Sequence, residues 1–188
     1  MTPKRLLDLA LVIPALIILA PFMALIALVV RLTSPGPIVF WSTRVGRDNS
    51  PFRMPKFRTM RVDAPLLPTD QMTDPGRYLT PIGPWLRSTS LDELPQLWSV
   101  LVGDMSVVGP RPALPSQQTL NEARTAAGVH RLRPGITGWA QVNGRDDISD
   151  TDKLRFDREY VSRQSLIFDL LIILYTLRKV LLREGIRH

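Results

Sequence analysis

Asp92 and Glu93 stand side by side in Ser90-Leu91-Asp92-Glu93-Leu94-Pro95. Such a pair can supply a nucleophile or oxygen ligands for a hard cation. A plain structural reading competes: Ser90 as N-cap with Glu93 at the third helical position makes a capping box, and acidic residues in a first turn suit the helix dipole. The two readings are compatible. Adjacent helical residues point about 100° apart, so one carboxylate can cap while the other faces a site. A helix start is also a natural phosphate site, where a carboxylate stays ionised, as a nucleophile must.

The basic residues face the same test. Lys56 and Arg58 alternate with Phe57 along an extended piece and so share one face. Arg87, Arg111 and Arg145 each lie beside Gly, Pro or Ser turns. A lone surface Arg is usually solvated, but a rigid turn such as Gly109-Pro110-Arg111-Pro112 holds the guanidinium fork in one place, as bidentate phosphate binding requires. On a helix expected from Thr151 to Arg163, Asp157 shares a stripe with Leu154, Tyr160 and Val161. It is either a site carboxylate or a buried group satisfied by a neighbouring Arg.

Composition narrows the chemistry. There is no Cys, which excludes disulfides and thiolate metal sites, and the only histidines are His130 and His188, too few for a histidine metal site or a Ser/His triad. The net charge of +7 favours phosphorylated or anionic partners, including anionic membrane lipid. No nucleic-acid-binding motif or interleaved aromatic pattern appears, so nucleic acid is not expected as a partner. A membrane-tethered nucleic-acid binder would explain the charge alone, and a non-catalytic anchored scaffold the hydrophobic segment alone.

These residues must be positioned by a mainly helical α+β domain. Strands are expected over Ile38–Thr43, Phe52–Met60, Asp104–Val108 and Ile136–Val142. Helices are expected over Pro84–Ser88, Leu91–Val102, Ser116–Ala127, Thr151–Arg163 and Leu166–Arg183, with turns or loops at Arg44–Pro51 and Asp63–Arg77. In the last helix Ile167, Leu170, Leu171, Leu174, Leu177 and Leu181 fall on one side, and Asp169, Thr176 and Arg183 on another. It reads as an ordinary core helix or as an interfacial helix whose basic residues, Arg178, Lys179, Arg183 and Arg187, face lipid phosphates.

Leu9 to Val30 carry no charge. As a helix they would reach about 33 Å, enough to cross the hydrocarbon core. Signal peptide, spanning anchor and re-entrant hairpin compete. Pro14 and Pro21 lack the N–H and clash with the preceding turn, which favours a bend. Lys4 and Arg5 precede the run. From Arg31 to Arg61 there are seven Arg or Lys against Asp48 alone, so both ends ask for the cytoplasmic side.

Taken together, Lys4-Arg5-Leu6-Leu7-Asp8, Lys56-Phe57-Arg58-Thr59-Met60, Ser90-Leu91-Asp92-Glu93-Leu94-Pro95-Gln96-Leu97, Gly103-Asp104-Met105-Ser106, Gly109-Pro110-Arg111-Pro112, Arg133-Pro134-Gly135-Ile136-Thr137-Gly138 and Gln141-Val142-Asn143-Gly144-Arg145 resemble the monotopic bacterial phosphoglycosyl transferases. The resemblance runs from Lys4 to about Arg183, and its motifs are specific in this order and spacing.

It implies transfer of a phospho-sugar from a UDP-sugar to undecaprenyl phosphate with release of UMP, a need for Mg²⁺, and Asp92 as covalent nucleophile beside Glu93. By motif match Lys56, Arg111 and Arg145 are assigned to phosphate or uridine. Arg58, Arg87, Gln141 and Asp157 complete the candidate substrate-binding set, and Asp92 and Glu93 are the candidate metal ligands. The resemblance also implies a re-entrant helix over 1–31 and a cytoplasmic-face catalytic domain over 32–188, the minimal form of the family. The oligomeric state, a homodimer included, is not legible in the residues. Relatives often carry Ser-Pro at the helix break. Here it is Ala20-Pro21, which removes a hydroxyl able to satisfy a freed carbonyl.

Overall fold

The computed structural model describes residues 1–65, 72, 74–144 and 148–182. In chain order its elements are α1 (Pro3–Thr33), β1 (Val39–Val45), β2 (Pro51–Phe57), α2 (Gly83–Ser88), α3 (Gln96–Val102), β3 (Ser106–Val108), α4 (Gln118–Ala126), β4 (Gly135–Thr137), α5 (Trp139–Asn143), α6 (Asp150–Arg163) and α7 (Leu166–Leu182). The fold is α+β, as expected. β1 and β2 form an antiparallel hairpin with Val39 opposite Phe57, while β3 and β4 run parallel with Ser106 opposite Gly135 and Val108 opposite Thr137.

The parallel pair needs bare backbone. A Cβ on Gly109 would strike the Arg133 carbonyl, and one on Gly138 would strike the Gly109 carbonyl. The glycines of Gly109-Pro110-Arg111-Pro112 and Arg133-Pro134-Gly135-Ile136-Thr137-Gly138 therefore press these two motifs together.

Two expected elements divide. Leu91–Val102 is a 3-10 turn, Leu91–Glu93, followed by α3 from Gln96. Pro95 has no N–H to continue the ladder, and the bonds there, Leu97 N to Leu94 O and Trp98 N to Pro95 O, skip three residues rather than four. Ile136–Val142 is a strand only to Thr137; after Gly138 the chain turns into α5. Within the expected loop Asp63–Arg77, residues 66–71 and 73 lie outside the described residues.

α1 runs unbroken through Pro14 and Pro21. Val12 and Leu16 pack with Met54, Val100 and Met105, whereas Ile26 and Val30 pack with Phe57 and Leu86. Between these contacts no residue from Ile17 to Phe22 is buried. Polar groups tie down the first turns. Lys4 Nζ donates to Asp169 Oδ2 at 2.7 Å and to the Tyr160 hydroxyl at 3.1 Å. Arg5 donates to the Val100 and Leu101 carbonyls at the C-terminal end of α3, where a cation suits the dipole. Asp8 Oδ1 accepts from Ser106 Oγ and the Val107 amide.

α7 sits the opposite way round from an ordinary core helix. Ile167, Leu170, Leu171, Leu174 and Leu177 are exposed, while Phe168, Asp169 and Ile172 are buried. Asp169 finds Lys4 and Tyr160 inside, and Thr176 shares a 2.7 Å hydrogen bond with Thr137. The polar side is satisfied in the interior, so the apolar stripe faces out. It is this stripe, rather than a basic side, that α7 presents most fully. The Leu181 side chain, Arg183 and Arg187 lie outside the described residues. Ile17, Ile18 and Leu25 of α1 are exposed as well. The molecule thus shows far more apolar surface than the scattered residues of a soluble protein.

Candidate functional site

The dyad rides on the single 3-10 turn Leu91–Glu93. Its entry is strained: Ser90 has φ 56° and ψ 18°, the left-handed region that a residue with a Cβ seldom adopts. No capping box forms. The Ser90 side chain makes no cap hydrogen bond, and Glu93 turns instead toward Lys56. Asp92 and Glu93 precede α3 rather than opening it, so they are not the first turn of a helix.

Leu91 and Leu94, on either side of the dyad, pack into the cluster that holds Ile26 and Val30 of α1. The turn is thereby fixed against the apolar helix. From β2, Lys56 Nζ reaches Glu93 Oε1 at 2.7 Å. From the Gly109-Pro110-Arg111-Pro112 turn, Arg111 Nη2 comes within 3.8 Å of the same oxygen. Arg87, at the end of α2, acts on Asp92 through its charge. The structure thus brings Lys56, Arg87 and Arg111 around Asp92 and Glu93, three cations against two carboxylates. Among the described residues the dyad is thus lined by basic side chains, a setting suited to an anionic ligand.

Asp92 is buried, and burial pushes its carboxyl up to about 6; the Glu93 charge adds to this, while Lys56 and Arg87 oppose it. At pH 7 the group is still ionised by about ten to one. An under-compensated buried carboxylate beside a second one offers hard oxygen donors, which fits a divalent cation completed by ligand phosphates and water. Among the described residues no cluster of three or more acidic, His or Cys side chains could hold a metal alone.

The other candidates sit elsewhere. Arg58 is buried, and its guanidinium donates to the Ser34 and Pro35 carbonyls after α1 rather than joining Lys56 at the dyad. Gln141 donates to the Ile136 carbonyl, and its Oε1 is buried without a partner among the described residues. Asp157 is the buried group satisfied by an Arg: its Oδ2 accepts from Arg124 Nε at 2.9 Å and Nη2 at 2.6 Å. Burial holds that carboxyl above its ordinary range, although Arg124 opposes the shift. Arg145 lies outside the described residues. Pro21 is exposed on α1.

Arg124 and the Lys4–Asp169–Tyr160 network escape sequence reasoning. For Arg124 the available signal was its place four residues after Leu120, on the buried face of α4.

Known proteins resemble the chain over nearly its whole length. The profile described as bacterial sugar transferase matches residues 1–183. The UDP-glucose:undecaprenyl-phosphate glucose-1-phosphate transferase of Escherichia coli (strain K12) is 40% identical over 183 residues, covering 94% of this chain and 39% of that protein. The uncharacterized sugar transferase EpsL of Bacillus subtilis (strain 168) is 42% identical over 191 residues, covering 98% and 90%. The UDP-N-acetylgalactosamine-undecaprenyl-phosphate N-acetylgalactosaminephosphotransferase of Aeromonas hydrophila is 37% identical over 192 residues, covering 98% and 45%. The chain therefore spans less than half the length of the Escherichia coli and Aeromonas proteins and most of the Bacillus one.

Proposed function

The chain belongs to the bacterial sugar transferase family, and from that premise we propose that it transfers a sugar 1-phosphate from a UDP-sugar to undecaprenyl phosphate, releasing UMP. The observation that carries this reading is the packing of Leu91 and Leu94 against Ile26 and Val30. It sets two carboxylates and a cluster of cations at the flank of a long apolar helix, where a lipid-borne phosphate and a soluble diphosphate can meet.

Phosphoryl transfer asks mostly for positioning and charge neutralisation. Asp92 attacks the sugar-bearing phosphorus: one Asp92 oxygen–phosphorus bond forms, the phosphorus–oxygen bond to UMP breaks, and UMP takes the electron pair. The polyprenyl phosphate oxygen then attacks the same phosphorus and frees Asp92. Two displacements let one site serve both substrates in turn. Lys56 and Arg111 hold Glu93 from two sides and share their charge with the bound diphosphate. Asp92 and Glu93 would hold Mg²⁺ with the donor's phosphate oxygens, and the ion would neutralise their charge.

The packing of α1 supports a membrane arrangement as well. Its two halves pack on the same body while Ile17 to Phe22 are left unburied between them. A helix crossing the bilayer would carry one end away from that body. This packing supports a reading in which both ends lie on the cytoplasmic face, the middle dips into lipid and the outer stripe of α7 rests at the interface.

A panel of UDP-sugars with undecaprenyl phosphate and Mg²⁺ tests the reading and identifies the sugar. UMP release from at least one donor is expected. Without the lipid, wild-type protein should release at most about one UMP per site and add a phospho-sugar to the peptide carrying Asp92. UMP release that strictly requires lipid overturns the covalent route. Single cysteines at Thr2 and Thr33 should both be shielded from an impermeant maleimide until the inner membrane is opened; periplasmic labelling at Thr2 would show a spanning helix.

A further inference from the structure

Arg111 reaches the dyad from a turn that cannot hold itself. Pro110 and Pro112 contribute no N–H, so the turn depends on donors from elsewhere to fix its carbonyls. All four carbonyls from 110 to 113 are taken. Pro110 O accepts the Gly135 amide at 2.9 Å and Ala113 O the Val45 amide at 3.0 Å, which anchors the two ends to the sheets. The centre rests on side chains: Pro112 O accepts Arg44 Nη1 at 3.3 Å, and Arg111 O accepts Arg124 Nη1 at 2.9 Å.

Arg124 is itself immobilised. It is buried on α4, and its Nε and Nη2 both donate to Asp157 Oδ2 on α6. A buried ion pair is a poor source of stability, since apolar side chains of similar size often do as well. A pair kept only for packing could send its Nη1 N–H groups anywhere. Here one of them goes to the carbonyl of the residue whose own side chain meets Glu93.

We propose that Arg124, oriented by Asp157, is a positioning residue for the donor site: it fixes the Arg111 backbone so that the Arg111 guanidinium stands ready for the diphosphate of the incoming nucleotide sugar. This rests on the donor-site reading given above. Arg124 touches no reacting atom; it acts through Arg111.

The test is a double-mutant cycle of Arg124→Lys and Arg111→Ala in the full-length protein, followed by UMP release. Lysine keeps a cation beside Asp157, but one ammonium cannot replace both the paired donors and the branch to the Arg111 carbonyl. Arg124→Lys should raise KM for the UDP-sugar about tenfold while kcat changes by less than about threefold, the mark of lost binding shared by ground and transition states. In the Arg111→Ala background the same substitution should add less than about twofold, because its effect has already been removed. Should Arg124→Lys fail to fold, Asp157→Glu enters the same cycle; it keeps the ion pair but shifts Arg124, and the same non-additive KM is expected.

Additive effects on KM, or a lowered melting temperature with KM unchanged, overturn the inference while leaving the donor-site reading intact. A wild-type protein that releases no UMP from any UDP-sugar, or an Arg111→Ala protein with unchanged KM, overturns the donor-site reading and this inference together.

Discussion

Asp92 and Asp157 are both buried, and both feel nearby cations, yet they are built to different ends. Asp157 lies inside the 14-residue α6, and a single guanidinium closes on one of its oxygens with two N–H groups. Asp92 rides on one 3-10 turn behind a left-handed serine. Among the described residues no side chain donates a hydrogen bond to its carboxylate; its own backbone amide is the hydrogen-bonding partner. The protein satisfies Asp157 from within and leaves Asp92 for whatever binds. A buried carboxylate becomes a site candidate when no side chain closes on it by hydrogen bonds, not by burial alone.

Amide substitution separates the two most sharply. Asp92→Asn keeps the shape and removes the nucleophile, so UMP release should fall at least about a thousandfold, with the circular dichroism spectrum unchanged. Asp157→Asn should leave measurable turnover in whatever fraction is folded. A fully active Asp92→Asn protein would put the two residues in one class and end the covalent mechanism.

The second contrast is in stability. Asp157→Asn strands Arg124 as an uncompensated buried cation, a loss on the order of 3–5 kcal/mol. Thermal unfolding in nanodiscs should show Asp157→Asn melting well below wild type and Asp92→Asn at or above it. If Asp157→Asn melts with wild type, the ion pair is not what holds α4 to α6.

That the two carboxylates differ was only half legible in the sequence. The candidates themselves were, since Asp92-Glu93 is conspicuous and Asp157 interrupts an apolar stripe. β1, β2 and α6 also follow from local pattern, because alternation and helical period are set by neighbours in the chain. The rest is long-range. Lys56 lies 37 residues from Glu93, and Arg124 lies 33 residues from Asp157. No local rule pairs them. The outward stripe of α7 is another such case: periodicity marks two faces, but Lys4, 165 residues away, and Thr137, 39 residues from Thr176, help decide that the Asp169 side goes in. Pro95 was a local sign that the helix would break before Gln96, but the capping box failed because Ser90 is left-handed where an N-cap needs extended backbone.

pH gives a third, smaller contrast. Burial raises Asp92 from 3.8 to about 6, so the folded protein holds that proton more tightly than the unfolded chain. Its contribution to stability is therefore complete below about pH 4 and is lost as pH rises through about 6. Asp92→Asn lacks this loss. In metal-free buffer its stability relative to wild type should climb between those values and level off above, by at most about 2–3 kcal/mol. Urea titrations at a series of pH values measure the difference. A flat difference would mean that Lys56 and Arg87 compensate Asp92 fully in the folded protein.

The smallest expected effect lies at Ser90, the strained residue that Asp157 has no counterpart to. Holding a residue with a Cβ in the left-handed region costs about 1–2 kcal/mol. Ser90→Gly relieves that cost but gives the unfolded chain more freedom, worth about 0.5–1 kcal/mol in the other direction. The two nearly cancel, so stability should move by no more than about 1 kcal/mol. The turn itself is kept by backbone bonds, from the Ser90 amide to the Arg87 carbonyl and from the Glu93 amide to the Ser90 carbonyl, and glycine retains both. Turnover should therefore stay within about tenfold of wild type. Ser90→Val has the opposite expectation: a β-branched side chain fits that conformation badly, and stability and turnover should fall together. A thousandfold loss in folded Ser90→Gly would show that the serine hydroxyl belongs with the reacting groups. The left-handed turn would then exist to present three polar side chains rather than two.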